Sequence, residues 1–277
     1  MSNTSDMNLI KAKELKIKNL SVSYDKNEVL RGLSFDASGL CAVIGKNGCG
    51  KTTLLKAVAC LIKSGGSIEL DNTDIKTLSL RQRARIISYI PQKTGVSDDM
   101  SALDVVASGY NARLSVFDNP SSEQLEKAVK AMKLVGLNNI GLRNYSSLSA
   151  GQQQLCILAR TVVEDTALWL LDEPDSALDI TNRYSVMALL AETAKEKGIT
   201  GLVSLHDPTL ALEFCETVIA VENGRCAGII NTAKDSFEHI ESVLKKAYGD
   251  VCLINANGRN AVFPSESLRK RKNSYET

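Results

Sequence analysis

Apolar and polar positions along the chain follow two rhythms. From Glu14 to Val22 the apolar residues Leu15, Ile17, Leu20 and Val22 alternate slightly out of strict step, which predicts a half-buried strand. Tyr24 and Asp25 are expected in a turn, and Val29 to Phe35 returns as a second strand. Leu40 to Ile44 (LCAVI), Ala167 to Leu171 (ALWLL) and Gly201 to Leu205 are continuous apolar runs, as in strands buried on both faces. Ser67 to Leu70, Ile87 to Ile90, Thr217 to Val221 and Arg225 to Ile230 add shorter strands, the last two around the turn Glu222-Asn223-Gly224. Helical spacing occupies Leu54 to Ile62, Leu80 to Ile86, Ile180 to Lys197, Leu210 to Cys215 and Ser236 to Tyr248. From Lys93 to about Glu164 strand alternation disappears and helices are expected at Leu103 to Tyr110, Glu123 to Val135 and Gln152 to Val163, with Ser121 or Ser122 capping the second.

This alternation predicts an α/β domain over 13–248: a mainly parallel sheet, an antiparallel β N-terminal part and an α-helical subdomain inserted at 93–164. Residues 249–277 are expected to form a hairpin turning at Asn257-Gly258, then a basic tail at Arg269 to Lys272 that reads as a solvated terminus or, less favoured, as a patch drawn to anionic lipid.

The stretch Gly45 to Thr53, GKNGCGKTT, stands between a buried strand and a helix start, the context of a phosphate loop. Gly45, Gly48 and Gly50 let backbone amides approach phosphate oxygens, and the helix N-terminus adds a positive dipole end. Lys51 can reach the terminal phosphates and the Thr52 hydroxyl can ligate Mg²⁺. The chain is therefore expected to bind a nucleoside triphosphate. Asp172 ends a buried strand, where a carboxylate calls for a facing cation; Glu173 follows and can act as general base on the attacking water. Gln92 lies just beyond Pro91 at another strand end, where it can meet the metal or that water. His206 ends a third strand as either a γ-phosphate donor or a structural histidine. Tyr24 is either a sheet-edge tyrosine or a platform for the base. Ser149 to Gln152 opens a helix and makes a second anion site, for which one nucleotide on one chain has no evident use.

Composition changes this picture little. Apolar residues at 44% and charged residues at 23% are those of an ordinary globular protein. A net charge of +1, from 33 basic and 32 acidic residues, gives no general pull toward nucleic acid. Seven dispersed cysteines without a C-x-x-C pair argue against a disulfide framework or zinc site and for a reducing compartment. Residues 1–16 lack the apolar core of a signal peptide, and no apolar run is long enough to span a membrane, so work at a membrane would go through a partner.

The phosphate loop, the Gln92 loop, LSAGQ (Leu148 to Gln152), ALWLLDEP, SALD (Ser176 to Asp179) and His206 occur in an order and spacing that resemble the ATP-binding-cassette ATPases over nearly the whole chain. The resemblance implies a P-loop NTPase with a RecA-like core that uses ATP and Mg²⁺. It implies that Gly45, Lys46, Asn47, Gly48, Cys49, Gly50, Lys51, Thr52 and Thr53 hold the nucleotide while adenine stacks on Tyr24. Lys51, Gln92, Glu173 and His206 would be catalytic, and Thr52, Gln92 and Asp172 would serve the metal. It further implies a dimer in which Ser149, Ala150, Gly151 and Gln152 close over the partner's ATP, with Asp179 at the interface.

Two positions depart from the family pattern. Ala150 replaces a glycine, at a cost of about 1–2 kcal/mol if its backbone needs positive φ. Asp175 stands where threonine or serine is common. Softer stretches (SLRQRARIISYIPQ, SALDI, YNARLSVFDNPSSEQ) resemble importers of ferric siderophores, haem or cobalamin. In that class two copies dock under separate permease subunits on the cytoplasmic face of the cell membrane, a substrate-binding protein delivers the cargo, and no nucleic acid is involved. The alternatives are an importer of another substrate class, a cassette ATPase acting on nucleic acid or a macromolecular assembly, and a nucleotide-gated subunit that barely hydrolyses. The lack of a sustained heptad between Lys51 and Ser149 and the single cassette count against the second; intact Glu173 and His206 count against the third, which Ala150 keeps open.

Overall fold

The computed structural model describes residues 13–92, 95–96, 99–115 and 118–265, so the basic run Arg269 to Lys272 lies outside it. The chain opens with β1 (Leu15–Tyr24) and β2 (Asn27–Ala37), an antiparallel pair. The imperfect alternation of β1 has a cause: its register with β2 shifts between Ile17 and Leu20 and again near Val22, and Asn19 has φ 51. Tyr24 is the last residue of β1 rather than part of the turn, because Asp25, at φ 52, reverses the chain within two residues.

Next come β3 (Leu40–Ile44) and α1 (Lys51–Val58). α1 starts three residues before the expected Leu54 and stops short of Ile62. At its end Cys60 takes φ 54 and donates to Ala57 O at 3.0 Å, while Leu61 donates to Lys56 O at 2.9 Å; this Schellman pattern ends a helix without glycine. β4 (Gly65–Leu70) pairs with β1, and the short β5 (Thr73–Asp74) extends that sheet. α2 (Leu80–Ile86) leads directly into β6 (Ile87–Ile90).

The helical stretch holds α3 (Ala102–Ala107), α4 (Ser122–Leu134) and α5 (Ala150–Glu164), which pack on one another. Ser79, Ser101, Ser121 and Ser149 each close a capping box with the Gln or Asp three residues on, the local reason α2 to α5 begin where they do. The remaining elements are β7 (Leu168–Asp172), α6 (Ile180–Lys197), β8 (Thr200–Ser204), α7 (Pro208–Phe214), β9 (Thr217–Glu222), β10 (Arg225–Asn231), α8 (Phe237–Tyr248), β11 (Val251–Ala256) and β12 (Arg259–Pro264).

The six-stranded sheet runs β10-β9-β3-β8-β7-β6, parallel except between β9 and β10, and a four-stranded antiparallel sheet runs β2-β1-β4-β5. Alternation along the central strands splits the core. Leu40, Ala42 and Ile44 of β3, with Trp169 and Leu171 of β7, face the helices α3 to α8. Cys41, Val43, Leu168 and Leu170 face α1 and the antiparallel sheet. With both faces covered, the strands must be apolar throughout, and polar chemistry is left to their carboxyl ends. Among the described residues no helix is long and apolar enough to cross a membrane.

Candidate active site at the phosphate loop

Four parallel strands deliver the predicted residues: β3 runs into Gly45, β6 into Gln92, β7 ends at Asp172 before Glu173, and β8 leads to His206. An open cleft of about 300 Å³ lies at these ends, lined by Asn47, Gly48, Gly50 and Lys51–Thr53 of the loop together with Gln92, Glu173 and His206.

Glycine is required in the loop by close approach as well as by conformation. A Cβ on Gly45 (φ 146) would stand 2.2 Å from Val221 O, and one on Gly50 (φ 112) 2.7 Å from a Leu30 methyl. Gly50 is the N-cap of α1 and provides no side-chain cap, so the first amides of that helix are not satisfied by a capping side chain. Lys51 is buried, and its ammonium donates to Gly45 O at 2.8 Å and Lys46 O at 3.4 Å.

Glu173 is buried and adopts the left-handed conformation at φ 51, uncommon for a residue other than glycine. Its carboxylate is held on both oxygens: Gln92 Nε2 donates to Oε2 at 2.7 Å, and His206 Nε2 lies 2.5 Å from Oε1. Its amide donates to Ser204 Oγ at 2.9 Å, and the same hydroxyl donates to Asp172 Oδ1 at 2.7 Å. Asp172 is only 1% exposed, and its Oδ2 is buried with no hydrogen-bond partner among the described residues. Asp172 does not itself line the cleft, but an orphaned carboxylate oxygen one residue before Glu173, with the Thr52 hydroxyl in that cleft, fits a divalent cation with Asp172 and Thr52 as donors.

Ser204 escaped the sequence reading. The only signal was one hydroxyl in the otherwise apolar run Gly201 to Leu205. Asp175 is also explained in part: it is buried, its Oδ2 lies 3.9 Å from Arg183 Nε, and burial raises its pKa above the ordinary carboxylate value.

Not every predicted residue joins this cleft. Tyr24, 45% exposed at the end of β1, does not line it, and neither do Gly45, Lys46 and Cys49. Ser149, Ala150, Gly151 and Gln152 are likewise outside it. Ser149 caps α5: its Oγ accepts the Gln152 amide at 3.2 Å, and Gln152 Oε1 accepts the Ser149 amide at 3.2 Å. Ala150 is the first residue of that helix and has no positive φ, so the anticipated backbone cost does not arise. Gly151 packs on the loop after Glu173; a Cβ there would sit 3.2 Å from Ala177 O. Gln154 donates to Pro174 O at 3.0 Å, tying the same helix to the same loop. Asp179 is exposed and caps α6, accepting the Asn182 amide at 2.8 Å.

Comparison with known proteins gives a consistent picture. Residues 31–176 match the family described as ABC transporter. A Helicobacter pylori protein named for iron chelatin transport is 33% identical over 213 residues, covering 76% of this chain and 84% of its own. A Bacillus subtilis ATP-binding protein of a manganese transport system is 34% identical over 245 residues, covering 85% and 92%. Further relatives are named for ferric enterobactin, petrobactin, phosphonates and molybdate. Among solved structures, an inward-facing metal-chelate type ABC transporter aligns at TM-score 0.73 and 26% identity over 92% of this chain and 99% of that one.

Proposed function

The chain belongs to the ABC transporter family as an ATP-binding subunit, and on that premise we propose that it hydrolyses MgATP to drive import of chelated iron through a separate permease. The observation that carries the reading is the meeting of Gln92, Glu173 and His206 in the phosphate-loop cleft.

In this reading the loop amides and Lys51 cradle the phosphates, and the positive end of α1 adds to their field. Lys51 exchanges its contacts with Gly45 O and Lys46 O for phosphate oxygens. Glu173 takes the proton of the attacking water, its carboxylate aimed by the left-handed backbone and steadied by Gln92 and His206. His206, with its side chain 46% exposed, can turn from Glu173 toward the γ-phosphate. Asp172 and Thr52, with Gln92 beside them, would hold the Mg²⁺ that arrives with the nucleotide and neutralises charge on its phosphates. Tyr24 stacks the adenine. Lys46, Asn47, Gly48, Cys49 and Thr53 complete the loop around the nucleotide.

The start of α5 finds its use in a second copy. Ser149, Ala150, Gly151 and Gln152 of one subunit close over the phosphates bound by the other, and Asp179 lies at the contact. Two copies then work beneath the permease at the inner face of the membrane, with a substrate-binding protein outside. Chelated iron is favoured because relatives named for iron chelatin, ferric enterobactin and petrobactin stand beside the metal-chelate structural neighbour.

The test is uptake by proteoliposomes holding the chain with its permease and supplied with MgATP on the ATPase side. ATP-dependent accumulation of a labelled ferric siderophore, absent with Glu173→Gln, is expected. Uptake of free Mn²⁺ or molybdate in its place would overturn the substrate class while leaving ATP-driven import standing. Turnover stimulated by nucleic acid, with no uptake of any solute, would overturn the transport role.

A further inference from the structure

Tyr248 ends α8, 203 residues from Gly45 in sequence, yet its hydroxyl accepts the Gly45 amide at 3.2 Å. The carbonyl of the same glycine accepts the Lys51 ammonium at 2.8 Å. Gly45 is therefore gripped on both sides of its Cα, with Val221 O leaving no room for a Cβ.

The next residue adds a second approach: a Cβ on Gly249 would lie 3.7 Å from Lys46 Nζ. Behind these contacts, the hairpin β11–β12 (hydrogen-bonded at Leu253 to Glu241 of α8, 3.4 Å) braces α7. The Val262 amide donates to Thr209 Oγ1 at 3.2 Å, and Arg259 Nε pairs with Glu213 at 3.4 Å. α7 begins two residues after His206. The C-terminal elements thus touch the phosphate loop and the helix that follows the candidate catalytic histidine.

We propose that Tyr248 is a positioning residue for nucleotide binding: its hydroxyl fixes the Gly45 amide at the start of the loop, and so the Gly45 carbonyl that holds Lys51 in place until phosphate oxygens replace that contact. The inference rests on the reading of 45–53 as the nucleotide cradle. A ring that only packed would need no hydroxyl at this point, whereas removing the oxygen leaves the buried Gly45 amide without an acceptor. The phenol is half-buried, with Cys49 and Asp207 facing it, and the loss of water around it pushes its pKa up, so it remains neutral over the working pH range.

The experiment compares the full-length chain with its Tyr248→Phe, Tyr248→Leu and Lys51→Ala variants. Affinity is measured with Mg-bound mant-ATP, alongside steady-state hydrolysis, melting without nucleotide, and hydrogen exchange of the peptide spanning 45–50. Tyr248→Phe is expected to raise the mant-ATP Kd and the KM for ATP about 3- to 10-fold, with kcat held within about two-fold. Exchange at the loop should accelerate while melting stays within a few degrees of the parent. Tyr248→Leu, which also removes the ring, should lower the melting temperature as well. Parental affinity and exchange in Tyr248→Phe would overturn the proposal and leave Tyr248 a packing residue. A loss of affinity matched by an equal loss of folded protein would overturn it too. If Lys51→Ala binds mant-ATP as the parent does, the cradle reading itself falls and takes this inference with it; if Lys51→Ala is weakened and Tyr248→Phe is not, only the role of Tyr248 is lost.

Discussion

The chain has two helix starts suited to anions, at α1 and at α5, and they are built in opposite ways. α1 begins at Gly50, which lies at φ 112 and gives no side-chain cap, and a buried lysine follows at once. Its surroundings supply Gln92, Glu173 and His206. α5 begins at Ser149 in ordinary extended backbone, and its capping box satisfies the amides of Ser149 and Gln152 internally. No lysine follows within its first turn, and no residue of that turn lines the cleft. On the proposed reading the first start is the reactive site and relies on its surroundings, while the second is a capped helix end with amides to offer and no chemistry of its own. Such a pair makes sense as two halves of one site contributed by two copies.

The comparison breaks first at Glu173. Glu173→Gln should lower turnover by about 10²–10⁴-fold while leaving MgATP binding in place, with an ATP-dependent dimer accumulating in light scattering. A turnover near the parental rate would remove Glu173 as the base and reduce the α1 site to a binding loop.

Ser149→Ala addresses the other half. It should cost about 1 kcal/mol in chemical denaturation through the lost cap. Turnover should also fall about ten-fold, with mant-ATP affinity of the monomer unchanged; a ten-fold change corresponds to about 1.4 kcal/mol of site energy. Loss of monomer affinity would show that the two starts already meet within one chain.

Asp175 probes the loop linking the halves. Burial raises its pKa, so the folded chain holds this proton more tightly than the unfolded chain does. The stability it contributes is therefore greatest below the ordinary carboxylate pKa and is lost as pH rises through the raised value. Asp175→Asn should accordingly raise the urea midpoint at pH 7, and the gain should shrink as pH falls toward the ordinary carboxylate range. The smallest effect belongs to Ala150→Gly: with no positive φ to relieve, hydrolysis should stay within about two-fold of the parent, and a marked loss would mean that the methyl itself packs usefully.

Local signals carried the reading of the chain wherever burial and periodicity coincide. β6, α2 and α6 lie within the ranges that the sequence pattern indicated, because Ser79 and Asp179 cap the two helices and Pro91 follows the strand. The joint placement of Gln92, Glu173 and His206 followed from one rule, that each sits just beyond the carboxyl end of a parallel strand. Ser204 and Tyr248 were illegible for the opposite reason. Their partners lie 31 or more and 203 residues away, and only the pairing of β7 with β8 and the return of α8 bring them together. The left-handed turn at Glu173 was hidden as well, since no local preference requires it of a glutamate.

The Ser204 hydroxyl has a further consequence when its single proton is counted. An amide can only donate, so the Glu173 N–H occupies a lone pair of Oγ, and the serine's one hydrogen must point at Asp172. The rotor has no second choice: the bond runs one way, from the backbone of Glu173 through the β8 oxygen to the Asp172 carboxylate. Alanine at this position would orphan a donor and an acceptor at once, and cysteine would offer a longer, weaker version of the same relay. A single atom on the neighbouring strand thus ties the backbone of one acidic residue to the carboxylate of the other.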